Sequence, residues 1–398
     1  MKKAVMYGGG NIGRGFIGQL LFQAGYSVSF VDVNKDLLET LNTEKQYPVR
    51  ILKGDSYDEI MVKNVSGIDG NDIDAVSRAI AEADICATAV GVNVLKFIVK
   101  PVKEGIVRRF TEGNKKPLDI IICENLIGAD EFLKGMISDL MTEEERSFLD
   151  KVGFVEASIG RMVPIQTDAM KDGNPLRVCV ERYDRLPVDK AAFRGELPAI
   201  ENLVPFSPFS YYIERKLFVH NMGHASTAYL GQYVGCDAIW ESIGHADVEL
   251  IVLRAMQASA LAMSMKYDVP FIGLNNHVEN LVYRFSNKQL GDTNARVGGD
   301  IKRKLSPNDR MIGALRLCQE QNVPADYIEI AIAASLLFRR GGEEPMEPKT
   351  ILTEVAGFAE TDETYARIMA YYDMLVAKKP LSALIAAVKE KQGTAIIV

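Results

Sequence analysis

The sequence predicts two domains: an α/β domain built on a doubly wound parallel sheet, then a mostly α-helical C-terminal domain. Three observations predict it. At 398 residues the chain exceeds what one ordinary core covers, so two domains is the natural division. Over residues 1–195, short β-branched runs alternate with amphipathic segments, the grammar of strands and helices in turn. Over residues 196–398 the apolar positions settle into a helical period and β-branched runs thin out.

Residues 2–8 (KKAVMYG), 26–33 (YSVSFVDV), 83–90 (ADICATAV) and 118–125 (LDIIICEN) are near-continuous apolar runs of strand length. Such runs suit a parallel sheet covered on both faces. Between the first two lies GRGFIGQLLFQAG (13–25), a helical pattern that ends in glycine, as helices often do. The stretch 151–195 is expected to extend the sheet. In the second half, residues 247–267 form a long Ala/Met/Leu-rich helix, and 329–340 and 362–376 form further helices. Residues 287–308 are expected as a glycine-rich basic loop.

Composition narrows the function classes. A net charge of −7 gives no reason to expect a nucleic acid or an anionic membrane as partner. Cys86, Cys123, Cys179, Cys236 and Cys318 are scattered, without a CxxC pair, as buried thiols of a cytosolic protein would be. The start of the chain has no apolar run of signal-peptide length, and runs such as IAIAASLLF (330–338) are about half the length of a membrane span. A cytoplasmic protein acting on a small molecule is expected. The sequence leaves its oligomeric state open.

The richest signal is GGGNIG at 8–13. Gly8-x-Gly10-x-x-Gly13, with Asn11 and Ile12 between, falls between an expected strand and an expected helix. Glycines there permit the tight turn, let the backbone approach a pyrophosphate and allow close helix–strand packing, with the phosphates on the helix N-terminus. Asp32 closes the next strand, where a carboxylate accepts from ribose hydroxyls and repels a 2′-phosphate. NAD is the expected cofactor. Thr88, Val90 and Asn125 sit where two further strands give way to loops, at the carboxyl edge that binds ligands in open α/β sheets. Asn125 can equally be read as a cap of the helix that follows.

Midway along the chain, KLFVHNMGH (216–224) gathers a lysine, an asparagine and two histidines. His220 and His224 are four apart, but the glutamate of an HExxH zinc motif is missing and no third ligand suggests itself, so no metal is expected. The flanking residues are too apolar for a solvated face. On an α-helix Lys216, His220, Asn221 and His224 fall at about 0°, 40°, 140° and 80°, on one side. A lysine turned toward the buried side calls for a polar ligand.

Taken together, GGGNIGRGFIG, TAVG, CENL, FRGELP, ERKLF, GHASTAYLG and RKLSPNDR (303–310) resemble the polyol-specific long-chain dehydrogenases, and within them the branch that oxidises mannitol 1-phosphate. The family's K-x-x-x-x-N-x-x-H motif matches Lys216, Asn221 and His224. The resemblance implies reversible, NAD-dependent oxidation of D-mannitol 1-phosphate to D-fructose 6-phosphate. It implies Lys216 as general base, Asn125 and Asn221 as donors to the developing alkoxide, and His224 as the group that positions the substrate oxygen. Where many members carry an acid before the arginine of a D-R-I-x-P segment, this chain has Gly160 before Arg161. That leaves an unphosphorylated polyol, or a hexonate such as altronate, as the alternative substrate, and a non-catalytic NAD sensor as the reading from another class. A substrate phosphate needs local positive charge, and Arg303, Lys304 and Arg310 are the candidates, against the reading of a solvated charge run.

Overall fold

The computed structural model describes residues 1–54, 56–341, 343 and 347–393. The chain divides into two compact units, Met1–Tyr212 and Ile213–Val398. The first therefore runs past residue 195, where the sequence placed the boundary.

Alternate residues of a strand face opposite sides of its sheet. In β1 (Lys2–Tyr7) both sides are apolar: Ala4 and Met6 join one buried cluster, Val5 and Tyr7 another. Such a strand belongs at the centre of a parallel sheet. The chain continues through β2 (Tyr26–Asp32), β3 (Gln46–Lys53), β4 (Ser56–Lys63), β5 (Val65–Asp69), β6 (Ile85–Thr88), β7 (Leu118–Ile122) and β8 (Val152–Glu156). Six of these form one sheet in the order β5-β2-β1-β6-β7-β8, every pair parallel. The chain winds outward from β1 to β5, then crosses to β6 on the other flank of β1. This is the doubly wound order, and its reversal between β1 and β6 opens the crevice in which such sheets bind ligands.

Helices Ile73–Glu82 and Leu95–Thr111 cover one face through Val76, Ile80, Ile98, Val102 and Ile106. Gly105 lets them meet, since a Cβ there would lie 2.6 Å from that of Ile80. On the other face the expected helix 13–25 is a π-helical turn, Gly13–Gly18, running into an α-helix, Gln19–Gln23, and stopped by Gly25 at φ 83°.

Only β8 of the stretch 151–195 extends this sheet. β9 (Val178–Glu181) pairs with β3, giving a second sheet of order β4-β3-β9, and β10 (Leu186–Asp189) pairs with β11 (Leu203–Phe206). The cause is packing: Val178 and Val180 press on Gly15, where a Cβ would lie 2.6 Å from Val178 Cγ1. β9 is thus held against the π-helical turn, away from the edge of the main sheet. β11, by pairing with β10, carries the first unit beyond residue 195.

The second unit is helical over its described residues. Helix Ala246–Tyr267 buries Val248, Ile251, Val252, Ala255 and Met256, and packs against Met222–Tyr233, Phe271–Phe285 and Asp326–Leu337. Among the described residues it alone is long and apolar enough to cross a membrane by length and composition, yet it serves as the core of this unit. The stretch 287–308 is not an irregular loop. It folds into short turns of helix at Lys288–Leu290, Asn294–Gly298 and Ile301–Lys304, led by the side chains of Asn287 and Thr293.

Candidate active site

In the first unit the glycine loop meets the chain's own constraints at two positions and leaves a third open. Gly8 has φ 103°, and a Cβ there would press on the Ala89 carbonyl; at Gly13 a Cβ would run into the Gly8 carbonyl oxygen. Apart from its chain neighbours, nothing among the described residues lies within 4 Å of a Cβ built on Gly10. That is the glycine whose missing side chain admits a pyrophosphate. Asn11 is exposed beside it and Ile12 packs on the core.

Asp32 organises the loop. Its Oδ2 accepts from Gly9 N–H at 2.7 Å and its Oδ1 from Asn34 N–H at 3.0 Å. Each oxygen keeps a second lone pair for a ribose hydroxyl. Thr88 is buried at the end of β6, and its Oγ1 has no hydrogen-bond partner among the described residues, an orphan that a bound dinucleotide would satisfy. The main chain at Val90 is already engaged: its N–H and that of Gly91 donate to the two carboxylate oxygens of buried Glu124, at 2.9 and 2.8 Å. Val90 can therefore offer a cofactor its side chain but not its N–H. Glu124, one residue before Asn125, was visible in CENL, but nothing in the sequence said that it would bridge two strand ends.

Asn125 is exposed in the loop after β7. Helix Ala129–Asp139 is capped at Gly128, in the left-handed region at φ 69°, without a side-chain bond, so Asn125 does not cap it. Glu156 closes that loop from β8 by accepting from Gly128 N–H at 3.0 Å. Burial first, then the neighbouring Asp130, pushes the Glu156 carboxyl up to about 7.

Lys216, Asn221 and His224 lie in the second unit. Arg215–Asn221 is a π-helical turn continued by the α-helix Met222–Tyr233. With i→i+5 bonding, residues five apart stand about one turn above each other. Lys216 and Asn221 therefore align more closely than the 140° of an α-helix. Three of the chain's four histidines gather here. His220 is buried, and its pKa is driven well below the ordinary value by desolvation and then by the charge of Arg284, as is that of His277 by desolvation and Arg215. His224 stacks on Phe285, ring centroids 4.9 Å apart and 15° from parallel, and its Nε2 lies 3.4 Å from Asp292 Oδ2. Burial lowers the His224 pKa and the hydrogen bond with Asp292 offsets part of this. Among the described residues no cluster of three or more His, Cys, Asp or Glu could hold a metal ion. His277, Phe285 and Asp292 are distant in sequence from the motif, and no local signal marked them.

Two family models match, one to each part of the chain: the mannitol dehydrogenase Rossmann domain over residues 2–202 and the mannitol dehydrogenase C-terminal domain over 209–370. The chain belongs to the mannitol dehydrogenase family. A mannitol-1-phosphate 5-dehydrogenase of Brevibacillus brevis is 40% identical over 336 residues, 84% of this chain and 86% of that one. Among solved structures, a D-sorbitol dehydrogenase in substrate-free form matches with a TM-score of 0.80 at 15% identity, covering 96% of this chain and 94% of that one. The Pseudomonas fluorescens mannitol 2-dehydrogenase, in a ternary complex with NAD and D-mannitol, matches with 0.70 at 16% identity, covering 98% and 94%. At these identities the two structures speak to the fold.

Two expectations about this mannitol dehydrogenase family member change on the structure. Lys304 is buried, its Nζ donating to the carbonyls of Val297 (2.8 Å) and Gly299, and desolvation followed by the charges of Arg310 and Arg303 lowers its pKa to about 8. It ties the Asn294–Gly298 turn to the next one. Arg303 is half exposed and paired with Asp300, while Arg310 lies over Asp309 at 2.8 Å and within electrostatic reach of His224. Arg310 is the basic candidate whose charge bears on the His224 imidazole. Gly160 has a packing reason, because a Cβ there would come within 3.1 Å of the Tyr183 ring. The adjacent Arg161 is buried and donates to the carbonyls of Tyr183 (2.6 Å) and Gly15 (2.9 Å) and to Gln19 Oε1 (2.9 Å). This arginine braces the π-helical turn of the glycine loop.

Proposed function

We propose that this protein is an NAD-dependent secondary-alcohol dehydrogenase interconverting D-mannitol 1-phosphate and D-fructose 6-phosphate. The observation that carries the reading is the 40% identity, over 84% of the chain, to a mannitol-1-phosphate 5-dehydrogenase. The glycine loop with Asp32, and the π-helical turn bearing Lys216 and Asn221, supply the parts such a reaction needs. Gly8, Gly10, Gly13 and Asp32 would hold NAD, which would supply the acceptor for the hydride of the carbinol carbon. Lys216 Nζ takes the hydroxyl proton and passes it to solvent. As the C–H bond breaks, negative charge builds on the oxygen, and the Asn221 amide donates to it, so base and donor lower one barrier together. His224 fixes the substrate hydroxyls. Arg310 offsets the charge of the substrate phosphate in a chain of net charge −7. All five cysteines are free thiols, which fits action in a reducing compartment such as the cytoplasm.

One observation favours a second reading. Burial of Lys304 and the pairing of Arg303 with Asp300 leave less free positive charge than the sequence promised, as an unphosphorylated polyol or a hexonate would permit. NADH formation from mannitol 1-phosphate, mannitol and altronate decides between them. A much higher kcat/KM for the phosphate is expected; equal values for mannitol and its phosphate would move the assignment. NADH binding without turnover of any of them would make the protein a sensor.

A further inference from the structure

His224 is gripped on two sides. Phe285 lies flat against its ring, and Asp292 stands 3.4 Å from its Nε2. Asp292 is itself held: its other oxygen pairs with the Arg296 guanidinium, its side chain is 15% exposed, and its carbonyl accepts from Ile239 N–H at 2.9 Å. Burial pushes the Asp292 carboxyl up, but the hydrogen bond with His224 and the pairing with the Arg296 guanidinium outweigh it, so the carboxylate stays ionised. Of the charged groups acting on His224, Asp292 favours the imidazolium, but burial together with Arg296 and Arg310 outweighs it and holds the imidazole pKa below its ordinary value.

A neutral imidazole carries one N–H and one lone pair. We propose that Asp292 is the positioning residue of this site, fixing His224 in the Nε2–H tautomer so that its Nδ1 accepts a hydrogen bond from a substrate hydroxyl. His224 is then a reader of protonated hydroxyls. It does not compete with the Asn221 amide as a donor to the alkoxide. The proposal rests on the reading of His224 as a substrate-binding group, and it adds a selection rule: a substrate with a carbonyl or ether oxygen at that position would leave Nδ1 facing a second acceptor.

The test has one arm independent of turnover. In protein labelled with ¹⁵N-histidine, four imidazoles contribute and the His224 signals are those lost in His224→Ala. Long-range ¹H–¹⁵N correlations at neutral pH should show the Nε2–H form in the wild type, mixed with the other tautomer in Asp292→Asn. The Nδ1–H form in the wild type would overturn the proposal, and no variant of Asp292 has to fold for that result. Kinetically, Asp292→Asn should lower kcat/KM by about 10–100-fold, the usual loss when a carboxylate that orients an imidazole is removed, and Asp292→Glu should restore part of it. In the His224→Ala background the same change should cost no more than about twofold, because a residue acting through another has nothing left to act on. Losses that multiply would make Asp292 a structural partner of Arg296 and nothing more. Should no polyol be turned over at all, the proposed reaction fails while the tautomer still decides the role of Asp292.

Discussion

Replacing Glu156 with glutamine separates charge from hydrogen bonding behind the Asn125 loop. The carboxyl lies at the N-terminus of helix Ala129–Asp139, accepts from Gly128 N–H at 3.0 Å, and has its pKa raised from 4.5 to about 7 by burial and then by Asp130. A group whose folded pKa lies above its unfolded value contributes stability in full below the unfolded pKa and loses it as pH rises through the folded one. For Glu156 the window is 4.5 to about 7. At 1.36 kcal/mol per pH unit the difference amounts to about 3 kcal/mol, and solvent screening of a half-buried group reduces this to roughly 1–2 kcal/mol. Glutamine keeps an acceptor for Gly128 and has no charge to desolvate. In urea denaturation followed by circular dichroism, Glu156→Gln should gain roughly 1–2 kcal/mol relative to wild type between about pH 5 and about pH 8. Comparing the two proteins at each pH cancels the titration of all other groups. A difference independent of pH would show that the burial of Glu156 is not felt, and one that moves in favour of the wild type as pH rises would show its pKa lowered on folding; either result refutes the reasoning.

Lys216→Ala should lower kcat by roughly 10²–10⁴-fold with NADH binding intact by fluorescence titration, and a variant keeping more than about a tenth of the wild-type rate would remove the lysine from its role as base. Asp32→Ser should narrow the preference for NAD over NADP in kcat/KM, since it deletes both the ribose acceptor and the charge that repels a 2′-phosphate; an unchanged ratio would assign Asp32 to holding Gly9 and Asn34 alone. Lys304→Met and Arg310→Gln should part company: the first costs about 1–3 kcal/mol of stability through the carbonyls of Val297 and Gly299 that it strands, whereas the second raises KM for mannitol 1-phosphate and spares free mannitol. A KM effect from Lys304 with unchanged stability would return that lysine to the phosphate site.

The fold was legible where one strand carries its own signature. Residues 2–8, 26–33, 83–90 and 118–125 are near-continuous apolar runs of strand length, a pattern that suits the interior of a parallel sheet, and all four became neighbours there. The runs at β9 and β10 look the same in sequence but pair elsewhere, because the deciding contact is Val178 and Val180 on Gly15, more than a hundred and fifty residues back along the chain. Local pattern states that a strand will form; which edge it joins depends on what else has been built.

The same division runs through the site. Gly8, Gly13 and Asp32 could be read from spacing because a tight turn and a strand end impose local demands. Lys216, Asn221 and His224 could be found, but their mutual angles could not, since a π-helical turn inserts its extra residue without any mark in composition. Lys304 differs for a related reason. A lysine in a run of basic residues reads as a phosphate-binding candidate or as solvated charge, and only the closing of the turn at 294–304 places its Nζ under two carbonyls. Asp292 escaped altogether: its partner is an imidazole on a helix far back in the chain, and an aspartate before a threonine reads as turn chemistry. What sequence supplies is the set of groups able to do the chemistry. Which of them face a ligand, and with which proton, is decided by the residues behind them, so the substitutions that discriminate best here are Asp292→Asn and Lys304→Met, at two side chains whose roles only tertiary contacts define.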